Sequence, residues 1–129
     1  MTTIDFNGVS IKLTSKYQGI AYPWDGKYAK EHHRVFVTID GKRIQFEYYC
    51  NKHDMDEREL INAFFCLLSD GVAYANAQDI DDFASEFGYT KITECVRAYK
   101  GCKSAYDKWQ KFNLDIYDAL NFLQENYDV

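Results

Sequence analysis

The chain has 129 residues, 17% of them aromatic, and a formal net charge of −5; that length suits one folded domain and can bury a core without disulfide or metal staples. Eleven tyrosines, nine phenylalanines and two tryptophans, with no low-complexity tract, exclude a disordered chain. The longest strongly apolar run, residues 63–68, cannot span a bilayer, and the opening Met1-Thr2-Thr3-Ile4-Asp5 lacks an export signal, so the expectation is a cytoplasmic protein with no membrane partner.

The first half reads as β structure. Asn7-Gly8 is a type I′ turn signal. A two-residue loop there sets Phe6 against Val9 and Ile4 against Ile11, with Leu13 continuing the same apolar face. Asp40-Gly41 repeats the pattern. It pairs Val37 with Ile44 and Val35 with Phe46 on one face, and Arg34 with Glu47 and Thr38 with Arg43 on the other. Strands are therefore expected near 2–6, 9–14, 34–39 and 42–50. Residues 14–33 hold the only proline, Pro23, and four aromatics, Tyr17, Tyr22, Trp24 and Tyr28. They read as a long connection, with an edge strand at 16–21 as one option.

After residue 54 the apolar period changes from two to about 3.6. Helix one is expected from Asp56 to Ser69 or beyond, and a short helix two over 79–87, stopped by Gly88. Helix three follows Thr90, a candidate N-cap, and runs to about Phe112; helix four covers 115–127. Strands followed by helices predict an α+β fold over residues 1–129, one domain in which the hairpins pack against about four helices. Phe64, Leu68, Phe83, Phe87, Tyr99 and Trp109 are the expected common core. Cys50, Cys66, Cys95 and Cys102 form no C-x-x-C pair and read as reduced, mostly buried thiols.

Charge is segregated. Residues 1–53 carry +3, residues 54–90 carry −8, residues 91–114 carry +4 and the last fifteen carry −4. Asp79, Asp81, Asp82 and Glu86 dominate the acidic block. Helix capping and the macrodipole account for carboxylates such as Asp54, Asp56, Asp79 and Asp115. The remainder forms a surface that repels nucleic acid and attracts a basic groove. A stripe of Lys100, Lys103 and Lys111 on helix three, with Arg97 nearby, competes with it, but the overall acidity argues against direct nucleic-acid binding.

No G-x-S-x-G, H-E-x-x-H, phosphate loop or EF-hand loop is present. Cys50 and His53 make one C-x-x-H pair, half of what structural zinc needs. His32 and His33 are strand neighbours and point to opposite faces. The expectation is no enzyme, no cofactor and no metal. Tyr22 and Trp24 join the four helix-two carboxylates as candidate partner-binding residues, since such aromatics often anchor interfaces.

The run Asp79-Ile80-Asp81-Asp82-Phe83-Ala84-Ser85-Glu86-Phe87-Gly88-Tyr89, then Ala98-Tyr99-x-x-Cys102 and Trp109-x-x-Phe112, resembles a pattern in small accessory proteins of bacteriophages and mobile elements. It departs from that pattern at Thr90-Lys91-Ile92-Thr93, where an acidic residue and a Ser-Arg-Lys stretch would stand, and in its extra acidic C-terminal helix. The resemblance implies a β-rich first half and a helical ending. It also implies a non-catalytic inhibitor of the anti-CRISPR type, acting in a bacterial host on a nucleic-acid-binding complex. The alternative is a structural or regulatory phage protein that self-associates or binds a replication or packaging partner.

Overall fold

The structure, a computed structural model, describes residues 1–23 and 26–129. It is an α+β fold: a four-stranded antiparallel sheet followed by four helices. The strands are β1 (Thr2–Phe6), β2 (Val9–Ala21), β3 (Lys30–Ile39) and β4 (Lys42–Cys50); the helices are α1 (Glu57–Asn76), α2 (Ile80–Phe87), α3 (Ile92–Gln110) and α4 (Ile116–Asn126). The chain divides into two compact units, Met1–Phe64 with Val129, and Phe65–Asp128. No helix among the described residues is long and apolar enough to cross a membrane.

In the first unit the strands lie in chain order, β1-β2-β3-β4. Both turns take the left-handed backbone that type I′ geometry requires: Asn7 has φ 51° and Gly8 φ 89°, Asp40 φ 49° and Gly41 φ 77°. The registers follow. Ile4 pairs with Ile11 and Phe6 with Val9; Val37 pairs with Ile44 and Val35 with Phe46. Ile4, Leu13, Val35 and Val37 are fully buried, and Ile11, Ile39 and Ile44 nearly so. Leu60, Ile61, Ala63 and Phe64 of α1 add to the buried side chains of this unit.

Residues 14–33 are not the long connection the sequence suggested. The β2–β3 ladder continues from Thr14↔Phe36 to Ala21↔Lys30, so the strand at 16–21 is the far half of β2. Two features hide it. The pairing shifts between Tyr17 and Gly19, and Gly19 at φ 102° marks the bulge that breaks the alternation of period two. β1 also stops pairing at Leu13, so the far half of β2 has a partner on one side only.

In the second unit Trp109 is fully buried. Its indole N–H donates to the Leu114 carbonyl at 2.8 Å, and its ring meets Phe112 edge-on at 5.4 Å. Leu67, Leu68, Phe83, Cys95, Ile116 and Leu123 are buried in the same unit. Gly71 permits a close approach of α1 to α3 and α4: a Cβ there would lie 2.4 Å from Ile116 Cδ1 and 3.3 Å from the Tyr106 backbone.

Three expectations are corrected here. Phe87 is 52% exposed and so lies outside the core, and Tyr99 is half-buried. α2 has only eight residues, and its one buried position is taken by Phe83. Thr90 does not cap α3; the N-cap is Lys91, which makes no side-chain capping bond. The cysteines are free, but Cys66 is exposed and only Cys95 is buried, with Cys50 and Cys102 between. Burial raises the Cys102 thiol to about 11, with help from Asp70.

The contrast between two aromatics can be measured. Trp109→Ala should cost about 3–5 kcal/mol in urea unfolding, as for large core aromatics. Phe87→Ala should stay within about 1 kcal/mol, as for surface positions.

Candidate functional site

The acidic residues singled out in the sequence meet at α2. Asp79 is its N-cap, in extended backbone, and accepts a 2.8 Å bond from the Asp82 N–H. Asp82 reaches back and accepts from the Gln78 N–H at 3.0 Å. The first bond is the N-cap bond of α2 and satisfies an amide donor that a helix start would otherwise leave open, while the second ties the residue before the cap to the helix. Asp82 therefore does not simply project into solvent, as the sequence suggested; half of the four-residue set holds the helix start together. Asp81 and Glu86 are exposed and have no such duty.

At the C-terminal end of α2, Gly88 turns left-handed at φ 69° and donates its N–H to the Ala84 carbonyl. Phe83 lies beneath, 4.8 Å from the Phe87 ring, 5.9 Å from Tyr89 and 5.3 Å from Tyr99. Phe87, Tyr89 at 37% and Ile92 at 82% are exposed around this junction. The α2–α3 corner thus combines apolar side chains open to solvent with the uncommitted Glu86, while Asp81 lies in the first turn of the same helix. Tyr22, 58% exposed, belongs to the other unit, in the loop after β2; Trp24 lies outside the described residues.

A second cluster, missed from sequence, occupies one end of the sheet's inner face in the first unit. Tyr17, His33 and Tyr48 share a row of the ladder. Tyr17 donates its hydroxyl to Glu31, which raises the phenol above its ordinary value. The Tyr17 ring also packs on His53, with centroids 4.2 Å apart. His33 is 1% exposed, and its Nε2 lies 2.7 Å from the Lys52 carbonyl. A carbonyl only accepts, so this nitrogen carries the proton. Tyr48 donates to Glu59 at 3.1 Å. Strand parity from Val35 assigns His33 to this face once β3 runs back to residue 30.

The groups of this cluster are engaged with one another and with the backbone. Burial raises the Cys50 thiol, so it stays protonated at neutral pH and is a poor nucleophile. The raised Tyr17 phenol also stays protonated. His33 spends its Nε2 proton on a backbone carbonyl, and His53 is paired with Asp54 at 3.2 Å. Among the described residues no group of three His, Cys, Asp or Glu side chains is placed to hold a metal ion. Together these contacts tie the segment after β4 to the sheet end.

The outer face of the sheet carries the opposite charge to α2. Lys12, Lys16, Lys30, Arg34 and Arg43 alternate outward, against the carboxylates of Asp5 and Glu47. Glu47 holds Arg34 at 3.0 Å and His32 at 2.9 Å. Burial alone would raise its carboxyl, but the bonds to His32 and Arg34 prevail and keep it below the ordinary carboxylate range. His32 stacks on Tyr49 with centroids 4.7 Å apart, and the Arg43 guanidinium sits 4.8 Å over the Phe36 ring.

No protein-family model, characterised protein or solved structure matches the chain.

Two outcomes follow from these contacts. Asp79→Ala should cost about 1 kcal/mol by loss of the cap, while Asp81→Ala should lie within about 0.5 kcal/mol of wild type; urea denaturation separates them. Because Glu47 is depressed in the folded state, its stabilising share is present above its unfolded value and is lost as pH falls through the folded value. Glu47→Gln should therefore flatten the fall of the urea midpoint between neutral pH and about pH 3.

Proposed function

We propose that the chain is a non-catalytic inhibitor that docks by its α2–α3 corner on the basic groove of a nucleic-acid-processing defence complex, in the manner of an anti-CRISPR protein. One observation carries this reading: Phe87, Tyr89 and Ile92 are exposed at the C-terminal end of α2, a helix that also bears the uncommitted Glu86 beside Phe87 in sequence and Asp81 in its first turn. Carboxylates alone would be a solvated face. Aromatic and aliphatic anchors beside them change that, because burying such side chains is what gives an interface most of its energy. A nucleic-acid groove offers the complement. Its arginines and lysines meet the carboxylates, and an arginine can also stack on Phe87 or Tyr89. Tyr22 and Trp24 are proposed as anchors for the same partner, which would be met in the cytoplasm of a bacterial host. The protonated Cys50 thiol and the absorbed ring proton of His33 support a non-catalytic role.

A second reading is favoured by the opposite charges of the α2 corner and the outer sheet face: head-to-tail self-association in a structural or regulatory phage protein.

The test is capture of partners from bacterial lysate by the tagged protein, followed by titration of the captured nucleic-acid-binding protein. The triple variant Asp81→Lys, Glu86→Lys, Phe87→Ala should remain folded and lose affinity on the order of 2–5 kcal/mol. The carboxylate share should shrink as salt rises from 0.1 to 1 M, where the Debye length falls from about 10 to about 3 Å. Equal binding of wild type and variant at every salt concentration would refute the corner as the interface. Concentration-dependent sedimentation, with no captured partner, would favour self-association.

A further inference from the structure

We infer that the outer face of the sheet is a binding surface for single-stranded nucleic acid. This goes beyond the α2 corner and uses different residues. It also departs from the expectation drawn from overall acidity, since a local face and not the net charge meets a ligand.

Alternation places Lys12 and Lys16 of β2, Arg34 of β3 and Arg43 of β4 on one face, across three adjacent strands. Neighbouring strands are about 4.8 Å apart and alternate residues on a strand about 6.7 Å apart, so these cations sit on a grid a few ångströms in pitch. Lys12, Lys16 and Arg43 are exposed and have no carboxylate partner among the described residues. Glu47 neutralises Arg34 but not these three.

Charge alone would fit any polyanion. The aromatics narrow the choice. Phe36 sits at the centre of the face, opposite Thr14 and Gln45. It is half-buried, with Arg43 over its ring. His32 and Tyr49, also half-buried, form a second platform on the same face. Phe36 and His32 are four residues apart on β3, roughly 13 Å. Cations flanking aromatic rings on an open sheet are what a single strand requires: phosphates meet lysine and arginine, while unpaired bases stack on the rings. A duplex hides its bases from such rings, and an acidic polypeptide has no bases to stack. The single strand is thus the ligand that uses both features.

The proposal is tested with fluorescein-labelled fifteen-nucleotide oligo(dT) and oligo(U), titrated by anisotropy at 50 and 200 mM NaCl. Wild type should bind at 50 mM salt and weaken at 200 mM. Lys12→Glu, Lys16→Glu and Arg43→Glu together should weaken binding at least tenfold. They should also reduce the slope of log K against log salt by about 2, at roughly 0.7 per lost phosphate contact. Phe36→Ala and Tyr49→Ala should each weaken binding at least fivefold with the salt slope unchanged, which a change in charge would not produce. Circular dichroism melts confirm that each variant is folded. Should Phe36→Ala prove unfolded, Phe36→Leu and Tyr49→Ala carry the stacking test. Absence of oligonucleotide binding by wild type at 50 mM salt overturns the proposal. So does full competition by polyglutamate with the aromatic variants unaffected, which would mark a docking face for acidic proteins. Salt-sensitive self-association abolished by the charge reversals, without oligonucleotide binding, overturns it as well.

Discussion

The register of the sheet is the constraint on which the other surfaces depend. Side chains alternate across a strand, so a slip of one residue would exchange the two faces completely. With Val37 against Ile44 and Leu13 against Val37, the aliphatic residues are buried and the cations point outward. The reverse register would bury Lys12, Arg34 and Arg43, at a cost no hairpin could meet. Both turns reinforce the choice: Asn7-Gly8 and Asp40-Gly41 accept positive φ, and the loop length fixes which residues face each other. The outer basic face and the inner aliphatic face are thus two consequences of one alignment.

The same alignment explains the polar cluster at the sheet end. Past Leu13, β2 no longer has β1 beside it, and beyond the row of Ser15, Val35 and Phe46 the inner face turns to Tyr17, His33 and Tyr48. Buried and half-buried polar groups need partners, and His33 and Tyr48 find them in the Lys52 carbonyl and Glu59, while the exposed Tyr17 bonds to Glu31. Of these groups, His33 is the costliest to bury, and its bond to a backbone carbonyl makes that position tolerable. These contacts hold the segment after β4 to the sheet end.

In the second unit, part of the acidic set is taken up by the start of α2. Asp79 caps α2 and Asp82 accepts from the Gln78 N–H before it, so their charge is partly absorbed by backbone donors. Asp81 and Glu86 are not used in this way. The brevity of α2 has a second effect. Two turns of helix bury one aromatic well, and Phe83 takes that place; Phe87, one turn on, is left at the surface. A single exposed phenylalanine is ordinary, but Phe87 is exposed together with Tyr89 and Ile92 at the same junction.

The sequence by itself determined the fold class, the two type I′ turns, the registers at Val37↔Ile44 and Ile4↔Ile11, and the existence of all four helices. These are local properties: turn chemistry, period and cap residues act within a few positions of one another. It could not determine where β2 ended, because the shift at Tyr17 and Gly19 breaks the period on which strand recognition rests. Nor could it separate Phe83 from Phe87, which share a helical face and differ only in what lies over them. Asp82 looked free for the same reason, since its partner is a backbone N–H whose direction depends on the chain's entry into α2. Exposure, pairing across the sheet end and the division of carboxylates between capping and solvent are set by which groups meet in space. Only the tertiary structure decides that, because burial and hydrogen bonding depend on neighbours distant in sequence.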